Sequence, residues 1–249
     1  MAVRWEVSEG VGRLTLDRPE VSNAIDRPTA DEFAGAVAAA ESDDVRVVLL
    51  SGSGARFCAG GDVRSFLATE DPSKYLYELA SNLGLALRRL SDLAKPVVAA
   101  VHGAVAGAGL GVMLTADVVV AARSTKFRMA YPAIGLTPDC GVSYLLPRAV
   151  GTQRALELAL TGRTLTAEQA HDWGLVTEVA QDDALADRAG ELASALAAGP
   201  VSALGQAKRL IRSSFEVPRE VHAADEAETI AAAVGTSEAQ RLIDQFTKR

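Results

Sequence analysis

Two short, largely apolar runs, each opening directly into a glycine-rich loop, constrain this chain more than any other feature. Val45 to Leu50 reads VRVVLL and leads into SGSGARFCAGGD; Val97 to Val101 reads VVAAV and leads into HGAVAGAGLG. Such runs predict buried strands. The loops behind them carry exposed backbone amides. Amides at the start of a helix lack a partner in the chain and point at an anion, or at an oxygen that is gaining charge. Glycines admit positive φ and let a ligand approach the backbone closely. Tight helix–strand packing is the alternative use of the same glycines.

The remaining pattern places these strands in an α/β chain. Val3 to Ser8 and Val11 to Asp17 alternate with period two around Glu9-Gly10, which predicts a hairpin. A helix is expected from near Pro28 through AGAVAAAES, a second from Ser73 to Leu93, and a third strand over Val118 to Ala122. Strands alternating with helices predict crossover units and a mainly parallel sheet. Beyond residue 150 strand signals fade, except near Val176 to Val179. Gly199-Pro200 and Val217-Pro218 punctuate a helical tail. The expected division is an α/β core over 1–198 and a helical region over 199–249.

Composition removes several function classes. With 49% hydrophobic and 23% charged residues, the chain of 249 residues is neither disordered nor low in complexity. Lys and Arg total 25 against 32 Asp and Glu, a net charge of −7, which argues against nucleic acid as a partner. Cys58 and Cys140 are too few for a disulfide scaffold, so a reducing cytoplasm is the expected compartment. Met1 to Val7 lacks the pattern of a signal peptide. The apolar stretch from Pro96 to Leu114 is long enough for a membrane span. Its four glycines, His102 and lack of flanking aromatics argue against one.

Templates for phosphate loops fail. The first loop lacks a GK[ST] ending, and Val112 stands where GxGxxG needs its third glycine. His102, His171 and His222 are isolated, so no metal site is expected. Cys58 reads as a buried packing residue. Asp139 is the acid of most interest, within IGLTPDCGVS. There it either caps the helix that follows or projects into an apolar pocket, where desolvation would raise its pKa and suit it to proton transfer.

Four segments together identify a family resemblance. They are RFCAGGD (56–62), KPVVAAVHGAVAGAGLGVMLTAD (95–117), AIGLTPDCGVSYLLPRAVG (133–151) and RALELALTGRTLTAEQAHDWGLV (154–176). With DRPEVSNAID (17–26), they make the chain resemble the crotonase superfamily, the enoyl-CoA hydratase/isomerase family. The resemblance implies a spiral of ββα units, packed as two roughly perpendicular sheets, with a helical C-terminal trimerisation region. It implies an acyl-CoA thioester ligand, with coenzyme A as part of the substrate and no separate cofactor, and a homotrimer or dimer of trimers. By position, an oxyanion hole falls on the amides of Gly61 and Ala108. Ala24, Ala59, Asp62, Arg64, Gly107, Tyr131 and Leu136 fall along the expected ligand groove. Arg64, Lys248 and Arg249 are candidate phosphate partners or plain surface charges.

The resemblance does not fix the reaction. Where hydratases of the family carry two glutamates, this chain has Gly111 and Tyr131. Tyr131 lines the acyl pocket, places a hydroxyl or simply packs. Asp139 falls where isomerases and 4-chlorobenzoyl-CoA dehalogenase carry a catalytic aspartate. The dehalogenase's histidine falls on Gly84. Double-bond isomerisation with Asp139 as the base is therefore the expected activity. An atypical hydratase, another acyl-CoA lyase or hydrolase, or a non-catalytic binder are the alternatives. Phe66, Leu67, Tyr75, Leu76 and Tyr77, in a loop over 63–82, are expected to wall the acyl pocket.

Overall fold

Glu9 and Gly10 both take positive φ, 52° and 77°, as a two-residue type I′ hairpin turn requires. They join β1 (Val3–Ser8) to β2 (Val11–Leu16) in antiparallel register. The computed structural model describes residues 1–248. Asp26 accepts the amide of Thr29 at 2.9 Å and starts α1 (Arg27–Ala39), with Pro28 in the first turn, where a missing N–H costs nothing. Val45 closes a turn onto the Ser42 carbonyl, so β3 (Val47–Gly52) begins two residues later than expected. After it come α2 (Val63–Leu67), α3 (Pro72–Asp92), β4 (Val97–Val101) and β5 (Ala104–Ala106). Then follow α4 (Ala108–Leu114), β6 (Val118–Ala122) and β7 (Lys126–Arg128). The stretch long enough for a membrane span is thus cut into β4, β5 and α4. Among the described residues no helix is long and apolar enough to cross a membrane.

The second half contributes α5 (Val142–Val150), α6 (Thr152–Thr161), β8 (Thr164–Thr166), α7 (Ala167–Asp172) and β9 (Glu178–Ala180). Four helices complete the chain: α8 (Leu185–Ala198), α9 (Val201–Ser213), α10 (Arg219–Val234) and α11 (Ser237–Thr247). The large sheet runs β1-β2-β3-β4-β6-β9, and all its pairings after the hairpin are parallel. A small sheet runs β5-β7-β8, and Cys58 bridges to Val105 beside it. The passes through β4–β5 and β6–β7 each lay one strand in the large sheet and a short one in the small sheet before turning into a helix, and the Cys58 bridge marks the corresponding place after β3. This is the α/β spiral of ββα units that the family resemblance implies.

Burial on both faces explains the unbroken apolar runs. Val97, Ala99 and Val101 of β4 face a core filled by Phe33, Leu83, Leu90 and Met113. Val98 and Ala100 face Ala189, Ala193 and Ala197 of α8, whose four-residue spacing places the three on one side of that helix. Helix α9 is fastened to the sheet by charge as well as by shape. Asp117 accepts from Lys208 at 2.9 Å, from Arg212 at 2.7 Å and from the Val97 amide at 2.8 Å. Lys208 is almost wholly buried, and desolvation pushes its ammonium below the usual lysine range. By contrast α10 and α11 bury none of their residues.

Gly205 sits where α9 meets the chain before β4; a Cβ there would lie 2.1 Å from the Ala94 carbonyl oxygen. Gly205→Ala should therefore displace α9 and cost roughly 1–3 kcal/mol, measured as a lower urea midpoint at unchanged slope. An unaltered midpoint would contradict this packing.

Candidate active site

The site begins with a loop held by one asparagine. Ser22 and Asn23 are both left-handed, at φ 60° and 55°, a conformation asparagine tolerates better than most residues. Asn23 is buried. Its side-chain oxygen accepts the Arg18 amide at 2.8 Å, and its NH₂ donates to the carbonyls of Ser53 (2.9 Å) and Arg56 (2.7 Å). Thus anchored, segment 22–25 zips onto the first glycine-rich loop. The Ala59 amide donates to Ser22, the Ile25 amide to Gly60, and the Asp62 amide to Ile25. This bridge uses the carbonyl of Gly60 and the amide of Asp62 on the side facing Ile25. The N–H of Gly61, between them, points the other way, as backbone groups alternate along an extended strand. It meets no acceptor among the described residues, and the space where a Cβ would sit is open.

The second glycine-rich loop meets the first, backbone to backbone. Gly60 and Gly107 take φ 118° and 53°. A Cβ on Gly107 would lie 3.4 Å from Gly60 Cα, and one on Gly60 would lie 3.6 Å from the Ala108 nitrogen. Ala108 opens α4, and its N–H also finds no acceptor among the described residues. Two unsatisfied amides, from adjacent positions in touching loops, thus converge. They suit an oxygen carrying partial negative charge.

Helix α4 also seats the acid. Gly109 lies under Cys58, whose carbonyl oxygen would be 2.5 Å from an added Cβ; Gly111 lies under Cys140, with its carbonyl oxygen at 2.6 Å. The loop that carries Gly61 and the loop that carries Asp139 therefore rest on the same helix, at positions 109 and 111. Gly111 is about 4.5 Å along the axis from Ala108. Cys140 and Gly141 both take positive φ, 52° and 76°, and reverse the chain. Gly141, not Asp139, precedes α5, and no side chain caps that helix. Of the two readings of Asp139, the helix cap is thereby overturned. Its half-buried carboxylate instead accepts the hydroxyl of Tyr131 at 2.7 Å.

The neighbouring groups are neutral. Burial and the charge of Asp139 push the Tyr131 phenol well above its ordinary range, so it remains a donor. The Cys140 thiol is raised by burial and by Asp139, and burial pushes Cys58 up to about 12. Cys58 is a packing residue, as its sequence context suggested. Among the described residues no group of three or more His, Cys, Asp or Glu side chains is arranged to hold a metal ion.

Other candidates are placed less directly. Asp62 accepts the Arg64 amide at 3.2 Å, starting α2, and pairs with Arg18 at 3.3 Å. Arg18 also pairs with Asp26 at 3.0 Å and donates to the Ala24 carbonyl at 2.8 Å. The Asp62 carboxylate is thus engaged in holding the loops together. Ala59 binds Ser22 through its amide, Arg64 and Lys248 are exposed, and Leu136 packs against the core. Arg249 lies outside the described residues. The expected pocket-wall loop over 63–82 is instead α2 and the first half of α3. Phe66 is buried, Leu67 and Tyr77 are exposed, and the Tyr75 hydroxyl bonds the Arg27 amide and Ser65. Arg18 and Asn23 were not anticipated; their partners lie up to 44 residues away, beyond any local spacing rule. A cavity of about 800 Å³ runs between α3, α4, α5 and α9, from Gly84 and Met113 to Cys140 and Gly141 beside the acid.

Comparison with known proteins agrees with this architecture. The sequence model of the family described as Enoyl-CoA hydratase/isomerase matches residues 6–248. The chain is 44% identical to 1,2-epoxyphenylacetyl-CoA isomerase of Escherichia coli (strain K12) over 213 residues, covering 84% of this chain and 80% of that protein. It is 36% identical to trans-2-decenoyl-[acyl-carrier-protein] isomerase of Streptococcus mutans over 220 residues, covering 86% and 82%. The crystal structure of an enoyl-CoA hydratase from Polaromonas sp. JS666 superposes with a TM-score of 0.95 at 32% identity, covering 100% of this chain and 97% of that one. With two amides free of protein acceptors in touching loops and this match along nearly its whole length, the chain belongs to the enoyl-CoA hydratase/isomerase family of the crotonase superfamily, enzymes acting on acyl-CoA thioesters.

Proposed function

We propose that this protein is an isomerase that moves a double bond in an enoyl-CoA, with Asp139 as its only acid–base group. The observation that carries this reading is the pair of positions where the resemblance places a hydratase's glutamates. Gly111 has no room for a side chain, because Cys140 fills that space. Tyr131 spends its hydroxyl on Asp139. One carboxylate, Asp139, therefore remains, on the loop that packs against the helix carrying the Ala108 amide. Adding water usually employs two acid–base groups, whereas shuttling one proton along one face of a chain needs one.

The thioester oxygen sits between the amides of Gly61 and Ala108. Asp139 removes a proton from C2 of a 3-enoyl-CoA, and the electron pair delocalises onto that oxygen. The amides stabilise the enolate charge as it forms, and each such donor is worth roughly 10²–10³ in rate. Asp139 exchanges the proton with solvent while it carries it and returns one proton at C4, leaving a 2-enoyl-CoA with no net gain or loss of atoms. The E. coli and S. mutans relatives, both named as isomerases, support the reading. Gly84, with nothing within 4 Å of its missing side chain, offers no group at the position matching the dehalogenase's histidine. Arg64 and Lys248 are proposed partners for the coenzyme A phosphates.

In deuterated water a 3-enoyl-CoA should yield labelled 2-enoyl-CoA, followed by mass spectrometry. Asp139→Asn should slow this by roughly 10²–10⁴ while ester affinity stays within a few-fold. A full rate in that variant would end the assignment. Restoring an acid as Gly111→Glu should fail to create a hydratase, because the new side chain must evict Cys140 and its loop. Appearance of a 3-hydroxyacyl-CoA would contradict this.

The proposal extends to assembly. Ile230 and Phe246 on α10 and α11 are 72% and 81% exposed, and burying them against further copies would give a homotrimer or a dimer of trimers. Analytical ultracentrifugation should find such a species, and Ile230→Asp with Phe246→Asp should shift it towards monomer. A monomeric wild type would refute it.

A further inference from the structure

We propose that Tyr131 is the positioning residue of the active-site acid: its hydroxyl holds Oδ1 of Asp139 and leaves Oδ2 as the atom that carries protons. The inference rests on the isomerase reading above. Its physical basis is the freedom of an aspartate on a loop. Two rotatable bonds separate the carboxylate from the backbone, and a misplacement of 1 Å costs on the order of 10² in rate. The backbone end is held by the left-handed residues Cys140 and Gly141 on Gly111. Only a bond to the carboxylate itself sets the last rotation.

Tyr131 is built to supply that bond. Its ring is 8% exposed and part of the main core. Its carbonyl accepts the Leu136 amide at 3.1 Å, through a 3-10 turn over Tyr131–Ile134 that ends in left-handed Gly135. The ring and the loop that carries the acid are thus fixed relative to each other, with an O–O distance of 2.7 Å. The ionisable groups bordering Asp139 are Tyr131 from the turn and Cys140 from its own loop, with Cys58 behind Cys140. Burial keeps all three neutral. A buried phenol lacking this acceptor would leave its hydroxyl unsatisfied, so the pair stabilises the fold as well as orienting the base.

The test is Tyr131→Phe, which keeps the ring. The expected result is a roughly tenfold lower kcat for deuterium-labelled isomerisation, with KM within twofold, because the hydroxyl removed is engaged by Asp139 and the ring is kept. Unchanged kcat would reduce Tyr131 to packing, and KM rising with kcat unchanged would make it a ligand contact; either overturns the proposal. A double-mutant cycle in urea separates this from failure of the isomerase reading. Tyr131→Phe should lower the midpoint in the wild-type background and have a clearly smaller effect beside Asp139→Ala. Additive midpoints would overturn the proposal even if the wild type proved inactive towards every 3-enoyl-CoA.

Discussion

Because Gly60 and Gly107 carry no side chains, two loops from different strands pass with their backbones in contact, and the rest of the site depends on that approach. A Cβ on Gly60 would crowd the Ala106 carbonyl oxygen at 3.3 Å, and both residues hold positive φ, which a Cβ would strain. The contact places the free amides of Gly61 and Ala108 against one space. It is further maintained by the hydrogen-bonded zipper of 22–25 onto 59–62, and by Arg18, which ties Asp26 and Asp62 together while both are largely buried. Donors held rigidly in this way need no reorganisation when charge develops, which is why backbone amides serve as well as cations here.

Helix α4 converts that contact into a two-part site. Its glycines at 109 and 111 accept the carbonyls and Cβ atoms of Cys58 and Cys140. The oxyanion loop and the acid loop are thereby registered against one rigid element. The arrangement also accounts for the missing glutamate. The space that a longer side chain at 111 would need is occupied by the loop presenting Asp139, so the acid on the helix and the acid on the loop are alternatives.

The C-terminal helices are attached through Asp117, which sits between the end of α4 and β6. Lys208 and Arg212 of α9 converge on it. Two cations sharing one carboxylate in a poorly solvated site are justified by the further bonds they make. Lys208 also donates to the Lys95 carbonyl, and Arg212 to Ser91 and the Thr115 carbonyl. Tyr144 of α5 reaches Glu216 just beyond α9, at 3.2 Å. The helix that follows the acid loop therefore also touches the C-terminal region.

Much of this was legible in local pattern. The β1–β2 hairpin, α3, β4, β6 and the breaks at Gly199-Pro200 and Val217-Pro218 follow from periodicity and turn chemistry, which act over a few residues. The three-residue strands β5, β7 and β8 were not legible, because alternation needs more length to register. The sequence by itself determined that glycine-rich loops follow buried strands and that Asp139 is the acid left beside them. Tertiary structure alone decided where that acid points. A helix cap and a pocket acid share the same sequence pattern. The cap is excluded by the left-handed turn at Cys140, and the carboxylate is held by a hydroxyl eight residues upstream, contacts that exist only once α4, α5 and both loops have packed together.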